Sequence, residues 1–333
     1  MTVESCPLVS VIVPVYNSAS TIDRALASVV SQTYENWELL VVDDASTDDS
    51  ADRARAIAAS VRDRPVRVIV SPENRGSSAA RNTGLDVAIG EFVTFLDADD
   101  ELLPDYLEAM MNACDAETDI VVSGHLVSVD GSEERPRASR STGRMDGRTT
   151  LRMALADRVT PFPWDKLFRR SLFEDLRYPE GLKRFEDMVM NLALYPRARH
   201  VVVMSKPLYR YRISANSLTW GRVPSANDVG QALAHLDVHL DPAFRQGSFR
   251  APFQAMLTLL TLLVAQSAAT SAVGMAQGRA DLRPYGTELP LGRLASCARV
   301  RPDLAAAGLL LKAAPALFGA VYRRYARRSY GTE

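Results

Sequence analysis

The chain has 333 residues, room for two or three domains, and its 47% hydrophobic and 24% charged side chains are those of a soluble globular protein. A net charge of -1 gives no reason to expect nucleic acid as a partner. Cys6, Cys114 and Cys297 are few, odd in number and far apart, which excludes a disulfide framework or a metal spacing and fits a reducing cytosol.

The amino terminus does not read as a signal peptide: Glu4 stands where basic residues belong, and Leu8 to Val15 is strand-length and broken by Pro14. Strand and helix signals then alternate. Val9 to Val13 is a β-branched strand, and Ser20 to Ser31 is a helix with apolar residues at helical spacing. Leu39 to Val42 is a strand ending in Asp43-Asp44, with a helix opened by Ser46 and Asp49. Val66 to Val70 and Phe92 to Leu96 are strands flanking a helix from Ser77 to Ile89. Leu102 to Cys114 reads as a helix with Pro104 in its first turn, and Ile120 to Val122 as a strand. The alternation predicts an α/β fold, a mainly parallel sheet with helices on both faces, with ligands bound beyond the carboxyl ends of the strands.

Asp130 to Arg148 reads as a surface loop. Order returns over 149–220, with a helix opened by Phe185-Glu186-Asp187 and strands at Val201 to Met204 and Leu208 to Ile213. From about residue 225 the pattern is helical. Ala251 to Gln277 carries no charge, but its interrupting Gln, Thr and Ser residues predict a buried helix rather than a membrane span. His235 and His239 share a helix face without a third ligand, so a solvated face is expected. The tail sets Leu309, Leu310, Leu311, Leu317, Phe318 and Val321 beside Arg323, Arg324, Arg327 and Arg328. It reads equally as a basic helix lying on a membrane or as a helix packed on its own domain or in a homo-oligomer.

The chemistry concentrates in Phe95-Leu96-Asp97-Ala98-Asp99-Asp100-Glu101. Carboxylates crowded at a strand end repel each other and make a hard-oxygen site for a divalent cation. Asp44 and Tyr16 could hold a base, and Arg81 could neutralise a phosphate. Taken singly, each has a plain structural reading as a cap, a packed ring or a surface charge.

Four stretches carry a resemblance: Val9-Ser10-Val11-Ile12-Val13-Pro14-Val15-Tyr16-Asn17, Val42-Asp43-Asp44-Ala45-Ser46-Thr47-Asp48, Asn74-Arg75-Gly76 with Ala80-Arg81-Asn82, and Phe95 to Asp100. In order and spacing they resemble glycosyltransferase family 2, strongly over residues 8–115 and more weakly to about 220. The resemblance implies a GT-A fold and a nucleotide-diphosphate sugar donor, most often a UDP-sugar. It implies a nucleotide-sugar-binding half at 1–125 and an acceptor-side half with the catalytic base at 126–222; it does not cover the last third, where the pattern itself predicts a helical region at 223–333. Asp99, with Asp97, would hold manganese or magnesium as the DxD motif. Pro14, Tyr16, Asn17, Asp44, Arg81, Arg212 and Ser217 would bind the nucleotide sugar. Asp187 would be the catalytic base, and Trp164, Lys166 and Glu186 would stand on the acceptor side. The acceptor would be a glycan, wall-polymer or lipid-linked hydroxyl, with the protein cytoplasmic or at the inner face of the membrane.

Two other classes compete with this reading. Haloacid-dehalogenase-type phosphatases need their Asp-x-Asp on the first strand, whereas here it follows the fourth. A non-enzymatic nucleotide-sugar-binding or assembly protein stays open, although the acidic motifs and Asp187 are intact. No Gly-x-Gly-x-x-Gly follows the first strand, which disfavours a dinucleotide dehydrogenase.

Overall fold

The structure, a computed structural model, describes residues 6–129, 133–213, 224–271 and 282–330. Ser217 and Gly274 to Gln277 lie outside them, as do the side chains of Arg327 and Arg328. The chain forms two compact units, Met1–Leu151 with Val159–Ser217, and Arg152–Arg158 with Leu218–Glu333.

The first unit is built on one sheet. Its strands are β1 (Val9–Val15), β2 (Trp37–Asp43), β3 (Val66–Val70), β4 (Phe92–Phe95), β5 (Glu101–Leu102), β6 (Thr118–Val129), β7 (Arg135–Arg137), β8 (Gly143–Asp146), β9 (Lys166–Arg169) and β10 (His200–Ile213). They lie in the order β3-β2-β1-β4-β9-β6-β10-β5, with β7 added on β6 and β8 on β10. Helices α1 (Ile22–Val30), α2 (Ser50–Ser60) and α3 (Ser77–Val87) connect the first four strands. The pairs β1–β2, β2–β3 and β1–β4 are parallel. The carboxyl ends of β2, β1 and β4 therefore sit side by side at one sheet edge. β-Branched and leucine side chains fill β1 and β2, which are almost wholly buried, as parallel strands covered on both faces require. Gly84 lets α3 lie directly against Ile12, where a Cβ would collide with that side chain.

The sheet is mixed rather than mainly parallel. β9 runs antiparallel to both β4 and β6 and inserts between them. The expected helix over Leu102 to Cys114 is shorter, α4 (Tyr106–Asn112), because Glu101 and Leu102 pair with Arg210 and Tyr209 as β5. The two expected strands at 201–213 are one strand bent by irregularities in its pairing with β6. The described part of the expected 130–148 loop is ordered: β7 pairs with β6, β8 pairs with β10, and α5 (Gly147–Leu155) begins at its end.

The second unit is helical: α7 (Ala226–His239), α8 (Arg250–Ser271), α9 (Leu291–Ala298), α10 (Pro302–Ala313) and α11 (Pro315–Tyr330), with α6 (Glu186–Leu194) belonging to the first unit. Leu262, Ala265 and Ala269 of α8 are buried with Leu282, Leu289, Leu294, Leu311 and Phe318. By length and composition alone, Gly247–Gln266 could cross a membrane, and 56% of it is buried. Arg301 is buried against the Asp157 and Asp303 carboxylates and the carbonyls of Ala156 and Asp157.

Candidate active site

Three loops meet where β1, β2 and β4 end. Asn17 and Ala45 both have left-handed backbones, with φ of 49° and 60°. Asn17 Oδ1 accepts from the N–H and hydroxyl of Thr47, and the Asn17 N–H donates to Ser46 Oγ. Asn17 thus joins the β1 loop to the β2 loop. Pro14 is half-buried on β1, and the Tyr16 ring beyond it is 49% exposed, an accessible face for a planar ligand.

Asp44 is buried, and its carboxylate accepts the N–H groups of Arg75 (3.0 Å) and Gly76 (2.6 Å). It shapes the turn before α3, where Gly76 at φ 92° supplies a conformation other residues rarely adopt. Two bound N–H groups leave a carboxylate further acceptor capacity.

Arg81, on α3, is the hub. Its side chain is 4% exposed. Nη2 donates to Asp97 Oδ1 at 3.1 Å and Nη1 to Asp187 Oδ1 at 3.1 Å, with Glu186 Oε1 at 3.7 Å. Burial opposes its charge, but Asp187 and Asp97 outweigh that and hold its pKa above the ordinary value. Its guanidinium lies over the Tyr178 ring, 5.4 Å from the centroid. Asn82, the next residue, fixes that ring's segment by exchanging hydrogen bonds with the Tyr178 backbone. The sequence gives Asn82 a place in the Ala80-Arg81-Asn82 stretch but no role, and it gives no signal for Tyr178.

Asp187 stands in the first turn of α6, where the helix dipole favours negative charge. The helix is entered through Phe185, a non-glycine residue at φ 65°, an uncommon conformation of the sort that gathers at functional sites. Burial pushes the Asp187 carboxyl up to about 8, with Glu186 and Asp97 adding to the rise and Arg81 opposing it. Its side chain is still 23% exposed, open to a reacting group.

Asp97 and Asp99 are both partly exposed in the turn after β4. Burial, with Asp97 beside it, pushes the Asp99 carboxyl up to about 6. Two crowded oxygen donors of this kind fit manganese or magnesium, which takes one or two carboxylates and completes its shell with water and substrate phosphate. Among the described residues no group of three or more His, Cys, Asp or Glu could hold a metal.

Asp100 and Glu101 do not cap the next helix, which begins beyond Asp105. Asp100 is fully buried, accepting from the Tyr209 hydroxyl at 2.7 Å and the Arg212 N–H at 2.7 Å. The Tyr209 oxygen in turn accepts from the Asp97 N–H at 3.2 Å, tying β10 to the acidic turn. Glu101 is ringed by Arg24, Arg210 and Arg212 at 3.0, 3.1 and 2.6 Å. The Arg212 guanidinium is thereby held on Glu101.

Trp164 and Lys166 lie beneath the site rather than on a surface that an acceptor could touch. Trp164 is stacked on Phe162 and Tyr209. Lys166 is completely buried, its ammonium donating to Asp165 Oδ1 and to the carbonyls of Thr160 and Phe162.

The order of strands and the loops at their carboxyl edge, with a helical region following, define the α/β GT-A fold. A solved structure of S. aureus TarS, residues 1–349 in complex with UDP-GlcNAc, matches 97% of this chain and 93% of its own at a TM-score of 0.68 and 22% identity. The family model "Glycosyl transferase family 2" matches residues 10–177, half of the chain. The chain belongs to glycosyltransferase family 2. It is 34% identical to EpsH of Bacillus subtilis (strain 168) over 218 residues, 64% of this chain and 62% of that relative, so it spans less than two thirds of EpsH. Over 105 residues, 32% of this chain and 40% of the relative, it is 41% identical to the Escherichia coli UDP-Glc:alpha-D-GlcNAc-diphosphoundecaprenol beta-1,3-glucosyltransferase WfgD.

Proposed function

We propose that the chain is an inverting glycosyltransferase that moves a sugar from a nucleotide-diphosphate donor, a UDP-sugar, to a hydroxyl of a glycan, wall-polymer or lipid-linked acceptor. The observation that carries this reading is the Asp97–Arg81–Asp187 bridge. It sets a carboxylate with an elevated pKa beside the acidic turn, in the fold of a family whose relatives include a UDP-glucose-using enzyme.

In this reading the base rests against Tyr16 and Pro14, with Asp44 accepting an N–H from its edge, and Asn17 holds the loops that frame it. Asp99, with Asp97, would hold manganese or magnesium, which offsets the charge of the departing diphosphate as a Lewis acid. Arg81 adds a positive charge on the same side, and Arg212 does so once it leaves Glu101. Asp187 takes the acceptor hydroxyl's proton as its oxygen bonds to the anomeric carbon. The bond to the diphosphate oxygen breaks in the same step, so the anomeric centre inverts. Glu186 stands beside that base and adds to the rise of its pKa. Trp164 and Lys166 fix the floor on which the acceptor side is built. An acceptor of this kind gives the protein a cytoplasmic setting beside the membrane.

The test is a panel of UDP-sugars, with GDP-mannose as an off-class control, assayed for nucleotide release with manganese present. Release from at least one UDP-sugar, above the GDP-mannose background, is the expected result. A flat panel would favour the alternative of a nucleotide-sugar-binding protein without turnover.

A further inference from the structure

The second unit presents a face that the transfer chemistry does not use. Helix α11 packs inward through Phe318, which is buried, and Gly319, which brings the helix close to Leu282. Leu317 and Val321 point the other way and are 54% and 53% exposed. They are one turn apart, and Arg324, exposed, follows at the next turn of the same stripe. On α10, Leu309 is 51% exposed, with exposed Ala306 and Ala313 on its own stripe. Leu317 and Val321, two large apolar side chains left in water one turn apart and followed by an arginine, make a small apolar stripe with a basic end.

The charge pattern selects a partner for that stripe. From Leu304 to Thr332 the sequence carries Lys312, Arg323, Arg324, Arg327 and Arg328 and no aspartate or glutamate. In a chain of net charge -1, this is a segregated positive segment. We propose that the Leu317–Val321–Arg324 face of α11 docks on an anionic lipid surface. Leu317 and Val321 enter the headgroup boundary, and Arg324 stays at headgroup level, its stem covering apolar surface. A second copy of the chain fits less well: a two-fold contact through this face would set Arg324 against its own copy, in a segment without aspartate or glutamate. Two or three apolar anchors give only reversible attachment, so much of the affinity comes from charge and weakens with salt. The proposal is independent of which sugar is moved.

Flotation of the full chain with vesicles tests it without any donor. The vesicles are equal parts phosphatidylglycerol and phosphatidylcholine, or phosphatidylcholine alone. The expected result is co-flotation with the anionic vesicles only, reduced in high salt. Leu317→Ser/Val321→Ser and Arg324→Glu each lower binding about tenfold or more, with thermal unfolding and UDP binding unchanged because these positions are exposed. Equal binding to both vesicle types, no flotation at all, or variants that float like the parent chain would overturn the proposal. So would a dimer in light scattering that the double serine variant dissolves, since a second copy would then own the face.

Discussion

Asp187→Asn is expected to lower transfer by about a hundredfold to ten-thousandfold while leaving UDP affinity within about twofold of the parent chain. The amide has the size of the carboxyl, and its oxygen still accepts from Arg81 Nη1, so the Asp97–Arg81 contact keeps its geometry. What it loses is the capacity to take a proton. The same residue sets the pH response. Burial raises its pKa to about 8, so the carboxylate that acts as base is present above that value and is lost as pH falls below it. The parent chain's transfer rate should rise with pH and level off above about 8, and the variant's residual rate should lack that limb. Nucleotide release across the pH range, with UDP titration at one pH, reads both effects. Full turnover in the variant would remove Asp187 as the base.

The second large effect is on stability. Asp165→Asn should destabilise the fold by about 3–5 kcal/mol, because it leaves the Lys166 ammonium charged in the core without its counter-ion. Both side chains are completely buried, and the pair is 2.7 Å apart. Burial already pulls the Lys166 pKa down, with Asp165 holding it back. Replacing both at once, Asp165→Leu with Lys166→Met, should cost much less than the single change, since paired buried charges can often be exchanged for apolar packing. Chemical denaturation of the three chains measures this. A single variant as stable as the parent would show that the pair carries no structural charge.

This pair also shows where the sequence was opaque. A lysine and an aspartate before Leu167-Phe168 look like surface residues, and a four-residue strand with a buried lysine matches no periodic pattern, so β9 was not foreseen. The first four strands were readable because each is an apolar run closed by a helix signal, and β3 matched to the residue. Asp97, Asp99, Asp44 and Tyr16 could be placed at one edge from strand order alone. Asp100 and Glu101 could not: an acidic residue ahead of a helix reads as a cap. Their partners Tyr209, Arg210 and Arg212 lie about a hundred residues away, on a strand brought alongside only by the fold. Arg81 was legible as a charge near phosphate. Its contact with Asp187 spans 106 residues, and no local pattern encodes it.

In the proposed function, the edge formed by Tyr16, Asp44, Asp97 and Asp99 holds a nucleoside diphosphate through a divalent cation. Calorimetric titration of UDP into the full chain tests it most directly, with manganese and again with excess chelator. The expected result is one saturable site with manganese, weakened at least about tenfold by chelator and by Asp99→Asn but not by Asp187→Asn. UDP binding of equal strength in chelator, or no binding in either condition, would contradict the account.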